Sequence, residues 1–337
     1  MRTWKSKGMP TLLVAAQLLI STAAFARDQA VGVVYYPPWN VSKLPLYLAR
    51  EAGIFEKNGL KVSLKNPGSN KNLLAAMKQN EGDIYVVSSN HVIQSKATGE
   101  SDLLIVANTG HNYSVFLVES SVTRAEDLKG KKIGTGELGS TPYQLTRLSL
   151  RRLGLDPDKD VTLVHYDQGG SSARATGLLS GEVSGSLVSS ETLFELERTG
   201  AIKKFRVLAD HKKLNIYGGG GADYAISTTF LKSHRDQAKS FLGSICEGIS
   251  LARKNKPKAL EIIAKTVRKS DSAGVEFLYR VYVGEVIPVR PYPRTEGVEI
   301  GIQMLSSTLP AVKGMKAQHL VDSTLIGELE REGRCGS

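Results

Sequence analysis

The chain is poor in the residues that carry metal and redox chemistry. Of its 337 residues only two are cysteine, Cys246 and Cys335. Two cysteines without a companion histidine cluster make no structural zinc site. In an oxidising compartment they could bridge the C-terminal tail to an upstream helix; otherwise Cys246 packs as a small hydrophobe. The sequence leaves both arrangements open. The six histidines, at positions 91, 111, 165, 211, 234 and 319, show no H-E-x-x-H or comparable ligand spacing. Neither a G-x-S-x-G elbow nor a Walker A sequence is present, so nucleophile-elbow hydrolases and P-loop nucleotide enzymes are not expected. Long apolar runs are missing too. No window approaches 18 uninterrupted apolar residues, so no membrane-spanning helix is expected.

What is present begins at the N-terminus. Arg2, Lys5 and Lys7 make a basic region, residues 11–20 an apolar stretch too short to cross a bilayer, and Ala24-Phe25-Ala26 an A-x-A site. This is the order of a secretory signal peptide, residues 1–26, cleaved after Ala26 to release a periplasmic chain. The cleavage point has no cysteine, so no lipid anchor is expected. Removing the three leading cations lowers the formal charge from +11 to +8. The remaining basic residues are dispersed and no aromatic-basic motif occurs. Nucleic acid is therefore not an expected partner, and the charge gives only a mild attraction for anions.

Short apolar stretches at 29–36, 60–64, 84–87 and 103–107 alternate with segments of helical spacing. Leu44, Tyr47, Leu48 and Ala52 form one such face, and Leu73, Leu74 and Met77 another. Ser42 is the expected cap of the first helix, with Pro45 in its opening turn, and Ser69 or Asn70 opens the next. The alternation repeats with strands at 115–118, 131–135, 161–166, 185–188 and 205–209. This pattern predicts βαβ units and largely parallel sheets. After a glycine run at 218–221 and a strand at 224–227, helices dominate, interrupted by the extended Pro288-Val289-Arg290-Pro291-Tyr292-Pro293 segment.

Gly134, Gly136 and Gly139 satisfy G-x-G-x-x-G between a strand and a helix, the dinucleotide fingerprint. Asp156, Asp158 and Asp160 fall where a ribose-binding acid would stand, but their Leu-Asp-Pro-Asp-Lys-Asp context is ordinary turn chemistry. An exported protein also lacks a ready supply of NAD. The glycines therefore read as turn residues, and no cofactor or metal is expected. The helix N-terminus behind them still favours an anion, because its free N–H groups and dipole point outward.

This turn has three counterparts. Strands give way to helices in small polar residues at Ser88 to Asn90, Gly139 to Thr141, Gly169 to Ser172, and Ser189-Ser190. In open α/β sheets, ligands lie at the carboxyl ends of strands. Each Ser or Thr also has a plain role as a helix cap, worth about 1 kcal/mol. A micromolar site needs about 8 kcal/mol of net binding, whereas one helix terminus supplies about 0.3–2 kcal/mol to an anion. The four turns would therefore have to act together on one cleft.

The chain resembles the nitrate/sulfonate/taurine-type solute-binding proteins of ABC importers. The residues that carry the resemblance are Leu44-Pro45-Leu46-Tyr47-Leu48-Ala49-Arg50-Glu51-Ala52-Gly53-Ile54-Phe55-Glu56-Lys57-Asn58-Gly59-Leu60 and Gly82-Asp83-Ile84. It continues through Glu126-Asp127-Leu128-Lys129-Gly130-Lys131-Lys132-Ile133-Gly134, the segment Leu153 to Val161, and Leu179-Ser180-Gly181-Glu182-Val183. The matches run in family order from about residue 30 to 235, and the helical tail matches more loosely.

The resemblance implies an α/β, two-lobed type II periplasmic binding protein fold with two interlobe crossovers and a helical C-terminal extension. Lobe one would be residues 28–114 plus 222–337 and lobe two residues 115–221, with crossovers near Tyr113 and at the glycine run. It implies a ligand site built from Tyr36, Trp39, Ser88, Ser89 and Asn90 on lobe one and from Ser140, Thr141, Gly169, Gly170, Ser171 and Ser189 on lobe two, with Tyr113 at a crossover. Trp39 and Tyr113 would wall the solute. The implied partners are a small organic solute and an inner-membrane ABC permease, and the implied state is a monomer without catalytic residues. Thiamine-pyrimidine-precursor binding proteins are related. A eukaryotic enzyme branch carries a cysteine-rich iron motif, which this chain lacks. An enzyme acting on a small organic acid and a ligand-sensing receptor partner are the competing readings.

Overall fold

The computed structural model describes residues 29–35, 41–111, 113–138, 140–166, 170–211, 213, 214, 216, 222–267, 271–306 and 308–336. The expected signal peptide, residues 1–26, and the glycine run 218–221 lie outside them, as do Tyr36, Trp39 and Gly169.

The first stretch runs β1 (Gln29–Tyr35), α1 (Leu44–Glu51), α2 (Ile54–Lys57), β2 (Leu60–Lys65), α3 (Asn70–Lys78), β3 (Ile84–Val87), α4 (Ser89–Ala97) and β4 (Leu103–Asn108). The second repeats the scheme with β5 (Ser114–Glu119), β6 (Lys132–Gly136), α5 (Thr141–Arg152), β7 (Thr162–Tyr166), α6 (Gly170–Ser180), β8 (Gly185–Ser189), α7 (Ser190–Arg198) and β9 (Phe205–Asp210). The chain then returns through β10 (Asp223–Ser227) and ends in α8 (Thr228–Ser233), α9 (Arg235–Lys254), α10 (Lys256–Val267), α11 (Ser272–Val281), α12 (Thr295–Leu305) and α13 (Thr324–Arg331). A single π-helical turn, Tyr282–Val286, continues α11.

Burial along each strand follows its place in the sheet. Central β3 is buried at all four residues, Ile84, Tyr85, Val86 and Val87, whereas edge strand β2 alternates buried or half-buried residues with exposed ones. The order is β2-β1-β3-β10-β4 in one sheet and β7-β6-β8-β5-β9 in the other. The two are the same wiring. In each, the strand next to the third belongs to a crossover: β10 returns into the first sheet and β5 opens the second. Both run antiparallel to their neighbours, while β1–β2, β1–β3, β6–β7 and β6–β8 are parallel. The sheets are therefore mixed rather than largely parallel. A strand that enters from the other lobe starts at the carboxyl edge and must run backwards.

Apolar layers cover both faces of each sheet. In the first, α1, α9, α10 and α11 close one face around Phe55, Phe241 and Ile245, and α3, α4 and α12 close the other around Leu73, Val92 and Val298. Cys246 on α9 and Cys335 in the tail form a disulfide with Cα atoms 5.1 Å apart. Of the two arrangements open from sequence, the bridge is the one adopted.

Two local expectations change. Ser42 does not cap the first helix; it lies in a 3-10 turn (Val41–Lys43), and Lys43 occupies the N-cap without a side-chain capping bond. Ser42 instead offers its carbonyl to Thr109 Oγ1 at 2.8 Å, tying this turn to the crossover. Gly134 and Gly136, read from sequence as turn residues, belong to strand β6, opposite Val164 and Tyr166. Ser69 caps α3 as expected, accepting from the Asn72 N–H.

Candidate functional site

Topology decides which residues can meet. The first crossover leaves the carboxyl end of β4 and enters the start of β5; the second leaves β9 and enters the start of β10. Register puts Asp223 opposite both Val87 and Asn108, Ser114 opposite Ser189, and Val115 opposite Asp210. The carboxyl edges of the two sheets therefore both abut the crossovers. Every sequence-predicted site residue that the structure describes lies on one of these edges or beside them.

On lobe one, Ser88 caps α4: its Oγ accepts the Asn90 N–H at 3.3 Å, and its own N–H donates to His91 Nδ1 at 3.2 Å. The backbone N–H of Ser89 is already engaged, donating to Asp223 Oδ2 at 2.8 Å. Asp223 Oδ1 accepts from Asn108 Nδ2 at 2.7 Å. Burial pushes the Asp223 carboxyl up to about 6, against these two hydrogen bonds and the charge of Arg294, which favour the carboxylate. Burial also lowers His91 to about 4, with the Ser88 backbone opposing and the Lys43 charge assisting. Lys43 itself is buried and brought down to about 8 by desolvation. Asn90, half-buried, faces α12 at Gly301, where a Cβ would fall 2.6 Å from its Oδ1.

The crossover between β4 and β5 is pinned rather than loose. Asn108 closes its own turn, donating from Nδ2 to Gly110 O and accepting the Gly110 N–H on Oδ1. The Thr109 N–H reaches Ala222 O on the second crossover at 3.0 Å. His111 and His211, one from each crossover, bring their rings to 4.4 Å between centroids, and Tyr113 meets His211 edge-on at 4.8 Å.

On lobe two, Ser140 caps α5 by accepting the Tyr143 N–H at 3.3 Å, with Thr141 as the first helical residue. Gly170 opens α6. Ser171 Oγ accepts the Ser189 N–H at 2.8 Å, joining two of the four turns directly. The Ser190 N–H in turn donates to Tyr113 O at 3.1 Å. Tyr113, Ser171 and Ser189 are thus one connected group. Ser88, Ser89 and Asn90 form a second with Asp223, and Ser140 and Thr141 stand at the neighbouring strand end. Tyr36, Trp39 and Gly169 lie outside the described residues.

Sequence reasoning missed Asp223, Asn108, Lys43 and the His111–His211 contact. Asp223 left one trace: an acidic residue immediately before a strand of buried apolar residues. The others carry no local pattern, because they acquire meaning only when the two crossovers pack together. Among the described residues no group of three or more His, Cys, Asp or Glu side chains could hold a metal ion. No described helix is long and apolar enough to cross a membrane.

Two mixed α/β sheets, linked by two crossovers at their carboxyl edges and followed by a helical extension, define the two-lobed periplasmic binding protein fold. The chain belongs to the NMT1/THI5-like family, whose model matches residues 40–259. Among solved structures, the periplasmic aliphatic sulphonate binding protein SsuA of Escherichia coli superposes with a TM-score of 0.67 at 19% identity, covering 89% of this chain and 99% of that one. The taurine-binding periplasmic protein of Escherichia coli (strain K12) is 23% identical over 67% of this chain and 68% of its own length. The 4-amino-5-hydroxymethyl-2-methylpyrimidine phosphate synthase of Schizosaccharomyces pombe is 25% identical over 60% of this chain and 59% of its own. The first curated relatives are matched over only about half to three-fifths of their length.

Proposed function

We propose that this protein is an exported solute-binding component of an ABC importer. It captures a small organic molecule, sulfonate- or carboxylate-like, between two lobes and presents it to an inner-membrane permease. Lobe one is residues 28–114 plus 222–337 and lobe two 115–221, and closure occurs about the two crossovers. The reading rests on three strand-to-helix turns, at Ser88, Ser140 and Ser189, each at the carboxyl end of a strand; closure about the crossovers would bring them onto one cleft. Helix N-termini gathered at one edge supply N–H donors and positive dipole ends, which suit an anionic head. The likeness to sulfonate- and taurine-binding proteins agrees with that chemistry.

The solute would close the lobes by binding the closed arrangement better than the open one, since only a difference in affinity moves such an equilibrium. The N-terminal signal segment and the disulfide are both in keeping with an oxidising, extracytoplasmic compartment. The synthase relative favours a second reading, an enzyme working on a pyrimidine or small acid. Against it, both cysteines are consumed by the disulfide and no free thiol remains as nucleophile or metal ligand.

Calorimetric titration of the mature protein with alkanesulfonates, taurine, short carboxylates and 4-amino-5-hydroxymethyl-2-methylpyrimidine tests the proposal. Binding of one class at micromolar affinity or better, with the solute recovered unchanged, is the expected result. Turnover of a bound solute, or no binding across the panel, overturns it.

A further inference from the structure

Arg174 is a buried cation with no carboxylate beside it among the described residues. It lies in the second turn of α6 with 5% of its surface exposed, on the face that packs against the second sheet. Its guanidinium makes one hydrogen bond among the described residues, Nε donating to the Leu187 carbonyl at 3.0 Å. No described carboxylate lies beside it. Desolvation alone acts on it, pulling its pKa below the ordinary arginine value, and no acidic neighbour pulls the other way. An arginine carries five N–H donors and does not give up its charge in a protein. A guanidinium this deeply placed, with a single protein acceptor among the described residues, is costly to the fold, because buried charges are normally paired.

Its position says what the missing partner is. Helical side chains lean back towards the N-terminus of their own helix, so the Arg174 head lies towards the Gly170–Ser171 end of α6. Leu187, its one acceptor, stands a residue beyond the last register pair of β8 with β6, Gly134 with Ser186. Its Nε therefore lies next to the point where the register of β6 with β8 ends. On one side β6 continues towards Ser140; on the other β8 continues to Ser189, whose N–H is already tied to Ser171. A guanidinium without a carboxylate partner among the described residues thus sits near two of the helix N-termini proposed to wall the solute on lobe two.

We propose that Arg174 is the charge-reading residue of lobe two, its free N–H groups binding the sulfonate or carboxylate head of the solute. This rests on the solute-binding reading and gives it a determinant of substrate class. Arginine's planar fork matches two oxygens of such a head at once. The helix N-termini add partial charge around it, and the bound anion supplies the neutralisation that the protein withholds.

Calorimetry and thermal unfolding of wild type, Arg174→Gln and Arg174→Lys decide the matter. The probes are methanesulfonate, taurine, acetate and 4-amino-5-hydroxymethyl-2-methylpyrimidine, a neutral control at pH 8. R174Q should weaken sulfonate or carboxylate binding at least ~100-fold. R174K keeps the charge without the fork and should weaken it about tenfold. The ligand-free R174Q protein should unfold no earlier than wild type, because the change removes an uncompensated charge. A residue that merely pins α6 would give the opposite: a lower unfolding temperature and unchanged affinity. R174Q binding the anions within threefold of wild type overturns the proposal. Should R174Q fail to fold, R174K binding as tightly as wild type overturns it as well. Wild type binding only the neutral pyrimidine removes the role of Arg174 but leaves solute capture standing. Wild type binding none of the four sinks both.

Discussion

Ser89 and Asp223 are 134 residues apart in sequence, yet the Ser89 N–H donates to Asp223 Oδ2 at 2.8 Å. The contact fastens the β3–α4 turn to the point where the chain returns from the second lobe. It also uses a helix N-terminal N–H that would otherwise face the cleft. The fold supplies its own anion there, so on the proposed reading the solute's charge would be met by the helix N-termini of lobe two and Arg174.

The same contact makes stability depend on pH in a way that can be worked out in sign. Asp223 sits at about 6 in the fold against an ordinary 3.8, so the folded protein takes up this proton first. Its contribution is fully present in acid and is lost as pH rises through about 6. His91 acts oppositely: at about 4 against 6.5, it is protonated first in the unfolded chain, so stability is lost as pH falls from 6.5 towards 4. Each two-unit displacement corresponds to roughly 3 kcal/mol, and the two largely offset each other in wild type. D223N removes one side of that balance. Its deficit relative to wild type, from urea unfolding, should grow by on the order of 2–3 kcal/mol between pH 7.5 and pH 4.5. A constant deficit would show that Asp223 does not titrate in this window.

Ser140 separates capping from binding. Its Oγ accepts the Tyr143 N–H, so S140A should cost about 1 kcal/mol of stability through the cap alone. Thr141 has no such hydrogen bond among the described ones, and T141A should leave unfolding nearly unchanged. If both side chains also touch solute, the double variant loses about tenfold or more in affinity, well beyond what the lost cap explains. Unchanged affinity would reduce this turn to scaffold.

Gly248 predicts a stability loss with no functional effect. It faces α1 from α9, and a Cβ there would fall 2.4 Å from the carbonyl oxygen of Pro45. That obstacle is backbone, so no side-chain rotation relieves it. G248A should separate α1 from α9 and cost about 2–3 kcal/mol. Solute affinity, measured on the folded fraction, should stay within twofold. A variant as stable as wild type would mean that the two helices are not held this closely.

Much of the fold was legible because strands and helices announce themselves locally. The alternation of apolar runs with helical faces located all ten strands to within a residue or two, and Ser69, Ser88 and Ser140 cap the helices they precede. Strand direction was not legible. β5 and β10 look like any other apolar run, and only the return of the chain between lobes makes them antiparallel. The site divides the same way. Ser171 and Ser189 were visible as small polar residues at strand ends, but their direct hydrogen bond needed the sheet. Asp223, Lys43 and Arg174 were invisible, since a charged residue shows as buried only after the surrounding layers have closed over it.

The disulfide gives a last prediction, about the C-terminal tail. Cys246 and Cys335 enclose a loop with a sequence separation of 89. Closing a loop of that length is worth about 4–5 kcal/mol in the chain-entropy account, through the unfolded state rather than through any native contact. The tail also has holds of its own. Leu325, Ile326 and Leu329 of α13 are buried in the same core as α9, and Arg235 and Lys239 reach Glu328 and Glu332. Reduction, or a paired Cys246→Ser and Cys335→Ser change, should therefore lower stability by several kcal/mol while α13 stays docked. Hydrogen exchange should show α13 amides protected in the reduced protein, with protection lost only beyond residue 331. If the whole of α13 exchanges on reduction, the bridge rather than the apolar face holds the tail. If the unfolding midpoint does not move, the bridge closes no loop that matters to the unfolded chain.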